Sequence, residues 1–192
     1  MFIQTESTPN PRTLKFLPGR DVLGQGSREF SDADAGLASP LATALFDVDG
    51  VERVYLGSDF ITITRAEAIE WPHLKPHVLA AIMDHFTSGR AVLRDASAPV
   101  DDTDEADIVY EGEAADIVKE LKEIIEARVR PAVARDGGDI TFHSWDHAQG
   151  IVRLNMRGAC AGCPSSTLTL KQGIENMLRH YIPEVNQVEQ VV

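Results

Sequence analysis

Two thiols three residues apart, Cys160 and Cys163 in the stretch R-G-A-C-A-G-C-P-S-S, are the only cysteines of the 192-residue chain. A C-x-x-C pair supplies either a redox disulfide or half of a four-ligand thiolate site. Disulfide exchange at a strand–helix junction is the thioredoxin arrangement. Only 29 residues follow Cys163, enough for one helix and one strand but too few for the rest of such a domain. Zinc must be weighed next. The stretch H-S-W-D-H sets His143 and His147 at H-x-x-x-H spacing, with 12 residues between His147 and Cys160. In reverse order this satisfies the arithmetic of a Cys2His2 site, although the two histidines straddle an expected hairpin turn. The third reading takes the pair as half of a tetrathiolate. Four cysteines are the ordinary complement of a [2Fe–2S] or [4Fe–4S] cluster, and two chains related by a two-fold axis supply four from one patch each. Spacing alone leaves zinc and a shared cluster both open.

The thiols are positioned by a short run of elements. Ile117, Leu121, Ile124, Ile125, Val129 and Val133 recur with helical spacing, predicting an amphipathic helix that Pro131 kinks or ends. D-G-G-D, Asp136 to Asp139, reads as the turn that follows it. Ile140–Ser144 and Ile151–Met156 read as a hairpin, Pro164 to about His180 as a helix, and V-N-Q-V-E-Q-V-V as a closing strand. This α-β-β-α-β order sets the C-x-x-C loop at the carboxyl end of a parallel strand and the amino end of a helix. Free backbone N–H groups, and the hydroxyls of Ser165, Ser166 and Thr167, can donate to sulfur there. A helix terminus is worth at best about 2 kcal/mol to an adjacent charge, whereas a bound metal deprotonates its thiols outright. A metal, not the dipole, would dominate the chemistry of these thiols.

The first half reads as a separate α+β unit. Phe2–Gln4 and Leu14–Phe16 are short strands around the turn residues T-P-N-P. Ser39 is an N-cap with Pro40 at the first helical position. V-E-R-V-Y-L, G-S-D and F-I-T-I-T form a hairpin. A helix is expected from near Pro76 to Ser88, with Val78, Ile82, Met83 and Phe86 on one face. His73 and His77 are four apart, but Pro76 between them argues against one shared helical face. Trp71 is expected in packing. The chain carries a net charge of −12, and the segment 101–115 holds seven acidic and no basic residues. Self-repulsion there predicts an extended tether. The fold class expected is thus α+β: two small two-layer α/β domains, 1–92 and 114–192, joined by an acidic flexible linker over 93–113. No basic stripe exists for nucleic acid, and no apolar run suits a bilayer. The first residues, MFIQTESTPNPRTLKF, carry neither a secretory nor a transit pattern, so a cytoplasmic protein is expected.

G-A-C-A-G-C-P-S-S-T-L-T-L-K-Q-G-I-E, with R-P-A-V-A-R-D-G-G-D-I upstream and P-E-V-N-Q-V downstream, resembles the NifU C-terminal (Nfu-type) domain. T-P-N-P-R-T-L-K-F-L-P-G, S-P-L-A-T-A-L-F, G-S-D-F-I-T-I-T and W-P-H-L-K-P resemble the N-terminal domain of the same proteins. The resemblance covers nearly all of the chain outside the acidic segment. It implies a non-enzymatic iron–sulfur cluster scaffold or carrier, with Cys160 and Cys163 as the ligands. A [4Fe–4S] cluster would be shared between the two protomers of a homodimer. Its partners would be an upstream cluster donor and apo iron–sulfur client proteins that receive the cluster, with neither nucleic acid nor membrane involved. The scaffold and ferredoxin-like domains of nitrogen-fixation members are absent. Mitochondrial members carry targeting sequences; their absence here implies a bacterial cytosolic member. The different-class alternative is a zinc-dependent structural or interaction module using Cys160, Cys163, His143 and His147.

Overall fold

The computed structural model describes residues 2–95, 106–161 and 164–191, with the backbone alone for 164–167. The acidic residues 101–105, and Gly162 and Cys163, lie outside the described residues. The chain divides into two compact units, Met1–Asp102 and Thr103–Val192, each mixed α+β.

In the first unit, strands β1 (Gln4–Ser7), β2 (Thr13–Leu17), β3 (Arg28–Phe30), β4 (Val51–Leu56) and β5 (Ile61–Arg65) form one antiparallel sheet in the order β1-β2-β5-β4-β3. Helices α1 (Ala33–Gly36), α2 (Pro40–Phe46) and α3 (Trp71–Thr87) complete it. Ser39 caps α2 as expected, its hydroxyl accepting from Ala42 N at 3.0 Å, with Pro40 in the first turn. Leu41 and Leu45 of α2 and Leu74, Val78 and Ile82 of α3 bury in one core with Phe16, Val54, Leu56, Ile61 and Ile63 of the sheet. The indole of Trp71 donates to Pro11 O at 3.1 Å, tying the start of α3 to the β1–β2 turn.

One helix start differs from the sequence reading. α3 begins at Trp71 and runs through Pro76, so His73 and His77 share a helix after all. An interior proline costs about 3 kcal/mol. Burying Leu74, Val78 and Ile82 gains about 1.5–3 kcal/mol each, which outweighs it. Both histidines are exposed and line a cleft of about 480 Å³ with Asp47 and Asp49. Among the described residues no three His, Cys, Asp or Glu side chains form a metal-holding group.

His85, on the inner side of α3, is fully buried. Neither ring nitrogen has a partner at hydrogen-bond geometry. Burial holds its imidazole below the usual 6.5, and the charge of Arg90 pushes the same way; Asp84 and the Arg90 backbone oppose. A group with a lowered folded pKa contributes stability that is present above its unfolded value and is lost as pH falls toward the folded one. Thermal melts of the full chain should show the first unit weakening as pH falls below the ordinary imidazole value of 6.5. His85→Leu should flatten that decline, and an equal decline in the variant would reject this origin.

The second unit holds α4 (Glu113–Ile124), a π turn (Ile125–Val129), α5 (Arg130–Arg135), β6 (Gly138–Asp146), β7 (Ile151–Gly158), α6 (Pro164–Tyr181) and β8 (Gln187–Gln190). β6 and β7 form the antiparallel hairpin, and β8 adds parallel to β7. The regular α-helix stops at Ile124, and Pro131 sits in the first turn of α5, just past the π turn. Ile117, Leu121, Ile125, Val129 and Val133 step by four, and each such step overshoots an α-helical turn by about 40°. The wider π turn takes up that drift and keeps all five in the core beside Ile140, Leu154 and Leu178. Arg130 N bonds Ile125 O across it.

Both ends of the expected tether 93–113 carry contacts. Arg94 N donates to Ala38 O at 3.0 Å, and its Nε to Leu37 O at 2.6 Å. Ala106 N donates to His143 O at 3.0 Å, and the Tyr110 hydroxyl accepts from Trp145 N at 2.8 Å. Among the described residues no helix is long and apolar enough to cross a membrane.

Candidate metal centre

β7 ends at Gly158, whose φ of +61° turns the chain out of the sheet at low steric cost. The chain then makes two turn contacts, Cys160 N to Arg157 O at 3.3 Å and Ala161 N to Gly158 O at 3.1 Å. Ala159 N reaches across to Gly137 O at 3.1 Å. α6 opens at Pro164. Cys160 therefore follows the carboxyl end of a strand paired in parallel with β8, four residues before α6 begins.

Cys160 is 6% exposed and belongs to the apolar core of the unit. Its thiol rests against the backbone at the start of β6. A Cβ added to Gly138 would stand 2.4 Å from Cys160 Sγ, 2.9 Å from Arg157 O and 3.0 Å from Cys160 N. That space exists only because residue 138 is glycine. The strand register sets the approach, since Gly138 pairs with Gly158 and Asp139 with Arg157.

The next residue of β6, Asp139, is held by charge. The Arg130 guanidinium donates from Nε to Asp139 Oδ1 and from Nη2 to Asp139 Oδ2, both at 2.8 Å. Asp139 Oδ1 also accepts from Ile140 N at 2.8 Å. A third guanidinium nitrogen, Nη1, reaches Glu126 at 2.8 and 3.0 Å. Hydrogen bonding to Asp139 raises the Arg130 pKa further above its already high value, against the cost of burial. The sequence pattern of Asp136–Asp139 reads as a turn and does not single out Arg130. The one available signal was a pair of glycines leading straight into a strand.

The remaining site residues are placed as follows. Cys163 lies outside the described residues, as do the side chains of Ser165, Ser166 and Thr167. His143 sits at the β-bulge of β6 and His147 is exposed in the hairpin turn, its Nδ1 accepting from the Trp145 indole at 3.4 Å. Five residues of strand separate His143 from Gly138, roughly 17 Å at 3.3–3.4 Å per residue. His147 is farther still. The hairpin thus holds both imidazoles well away from Cys160, and among the described residues neither histidine is brought to that thiol.

Residues 3–89 match the family described as scaffold protein Nfu/NifU N terminal, and residues 121–189 the NifU-like domain family. Over 99% of its length the chain is 48% identical to NifU-like protein 5, mitochondrial, of Arabidopsis thaliana, covering 68% of that protein. Over its full length it is 50% identical to the NFU1 iron-sulfur cluster scaffold homolog, mitochondrial, of Drosophila willistoni, covering 64% of it. The chain thus spans about two thirds of the length of the curated relatives it matches. The solution NMR structure of a NifU-like protein from Saccharomyces cerevisiae aligns with 50% of this chain and 86% of its own at 30% identity, with a TM-score of 0.45. These relatives correct the expectation of a bacterial cytoplasmic location, because they are named as mitochondrial proteins. The pattern of the first residues carries no address in a chain that spans only part of its relatives.

Proposed function

The chain belongs to the NifU-like (Nfu) family of iron–sulfur cluster scaffold proteins, and from that premise we propose that two copies hold one [4Fe–4S] cluster between them and pass it to apo-proteins. Cys160 and Cys163 of each copy are the four ligands. The observation that carries this reading is the recess at Gly138, which orients one cysteine of a two-cysteine chain at a strand–helix junction. Two thiolates are half of the usual complement, and a second copy supplies the rest. The chemistry is ligand exchange. Each incoming client thiolate forms one Fe–S bond as one carrier thiolate leaves, with no net oxidation or reduction. Because the ligands are divided between two chains, separation of the copies halves the coordination at once, which suits handing over a cargo. The first unit contacts donors or clients.

Anaerobic reconstitution with iron and sulfide tests the reading. It should give a broad visible absorption and a species of twice the apo mass carrying about four irons. His143→Ala and His147→Ala should leave both unchanged. A strictly monomeric loaded form, or stoichiometric zinc lost with either histidine, would overturn it.

A further inference from the structure

We infer that the Arg130–Asp139 ion pair is the positioning device for Cys160, fixing the thiol for capture of the cluster rather than only holding the fold; this rests on the reading above. The connection is short and continuous. Arg130 grips both oxygens of Asp139 at 2.8 Å from the far side of the π turn. Asp139 is 4% exposed and also takes the N–H of Ile140, so its carboxylate cannot shift without moving the first residues of β6. Those residues form the recess. Gly138 faces the Cys160 sulfur with no room for a methyl group, and Gly137 O holds Ala159 N. A displacement of β6 at Asp139 is therefore felt directly at Sγ.

The planar guanidinium gives this anchor two fixed hydrogen bonds, which a lysine ammonium cannot reproduce. Glu126 orients the same guanidinium from within the π turn. The π turn thereby has a use besides phasing the core, since it places Glu126 four residues before Arg130, within reach of its guanidinium. Groups that orient a ligand are worth about 10–100-fold in metal affinity when removed.

A purely structural pair and a positioning pair give different results when both charges are removed together. Breaking a buried pair by removing one partner leaves an uncompensated charge and destabilises. Replacing both partners by apolar residues of similar volume is often neutral or stabilising. The double variant Arg130→Met with Asp139→Leu should therefore still fold, its melting temperature lowered only by the Ile140 N–H that loses its carboxylate acceptor, yet lose its cluster to a chelator roughly 10–100 times faster. In the apo-protein, alkylation of Cys160 by a neutral maleimide, followed by peptide mass spectrometry, should speed up by about tenfold or more as the thiol leaves its recess. Arg130→Lys keeps the charge and should give intermediate values of both rates with a melting temperature close to wild type. That variant decides the matter if the double variant does not fold. Wild-type rates in the double variant, or in Arg130→Lys if it alone folds, would overturn the inference. Failure of the wild type to take up a cluster would sink the proposed function instead, while the alkylation rates would still judge the positioning role.

Discussion

Cys160→Ser should bring bound iron after anaerobic reconstitution to background and leave the protein at its apo mass. The substitution removes one ligand from each copy, so a two-fold site loses two of four at once. An alcohol is a poor substitute, since clusters are held by thiolate and the serine hydroxyl stays protonated without a strong perturbation. The size of the effect comes from this doubling: a protein that held its cluster within one chain would lose a single ligand to the same change. Folding needs a separate check, because Cys160 is buried in the core of the second unit. A buried hydroxyl without a partner costs about 1–3 kcal/mol. That shift is measurable by circular dichroism melting and too small to unfold a typical domain. Retained iron in a folded Cys160→Ser protein would remove Cys160 from the ligand set and the proposed function with it.

The parts of the fold legible in the sequence are those where local chemistry and tertiary packing agree. Ser39 followed by Pro40 announces a capped helix before any packing is considered, and the hydroxyl bond to Ala42 N is present. The hairpins at β4–β5 and β6–β7 announce themselves through β-branched runs interrupted by turn residues. The strand–loop–helix around Cys160 follows from the order of elements alone. What stayed hidden is decided across distance. β3 is only three residues, Arg28–Phe30, and gains its place by pairing with Val54–Leu56. Pro76 reads as a breaker, and only the buried face of Leu74 and Val78 shows why the helix passes through it. The Arg130–Asp139 pair is nine residues apart and joins a helix to a strand, so no local pattern reveals it. The zinc alternative was open for the same reason, because spacing counts residues while the hairpin sets His143 well away from Cys160.

Gly138→Ala should separate the site from the fold most cleanly. The added Cβ meets Cys160 Sγ at 2.4 Å and two backbone atoms, Arg157 O and Cys160 N, at 2.9 and 3.0 Å. Real Cβ contacts do not come so close, so something gives way. The sulfur is the end of a side chain and can rotate; the two backbone atoms begin the Cys160 turn and are held by the Gly138–Gly158 register. Turning the thiol out of its recess relieves the sulfur contact, while the 2.9 Å contact with Arg157 O makes the start of the Cys160 turn shift as well; both movements displace the ligand that cluster binding needs. Overpacking of this kind costs about 1–3 kcal/mol, and each kcal/mol lowers the melting temperature of a domain of this size by roughly 4–8 °C. The variant should fold, melt somewhat lower, and retain little iron on reconstitution. Gly173→Ala supplies the control, being an exposed position inside α6 with nothing within 4 Å of its added Cβ. Alanine there should raise stability by about 0.5–1 kcal/mol and leave iron binding at the wild-type level. Equal iron in both variants would mean that the recess does not position the ligand, whatever the thiol itself contributes.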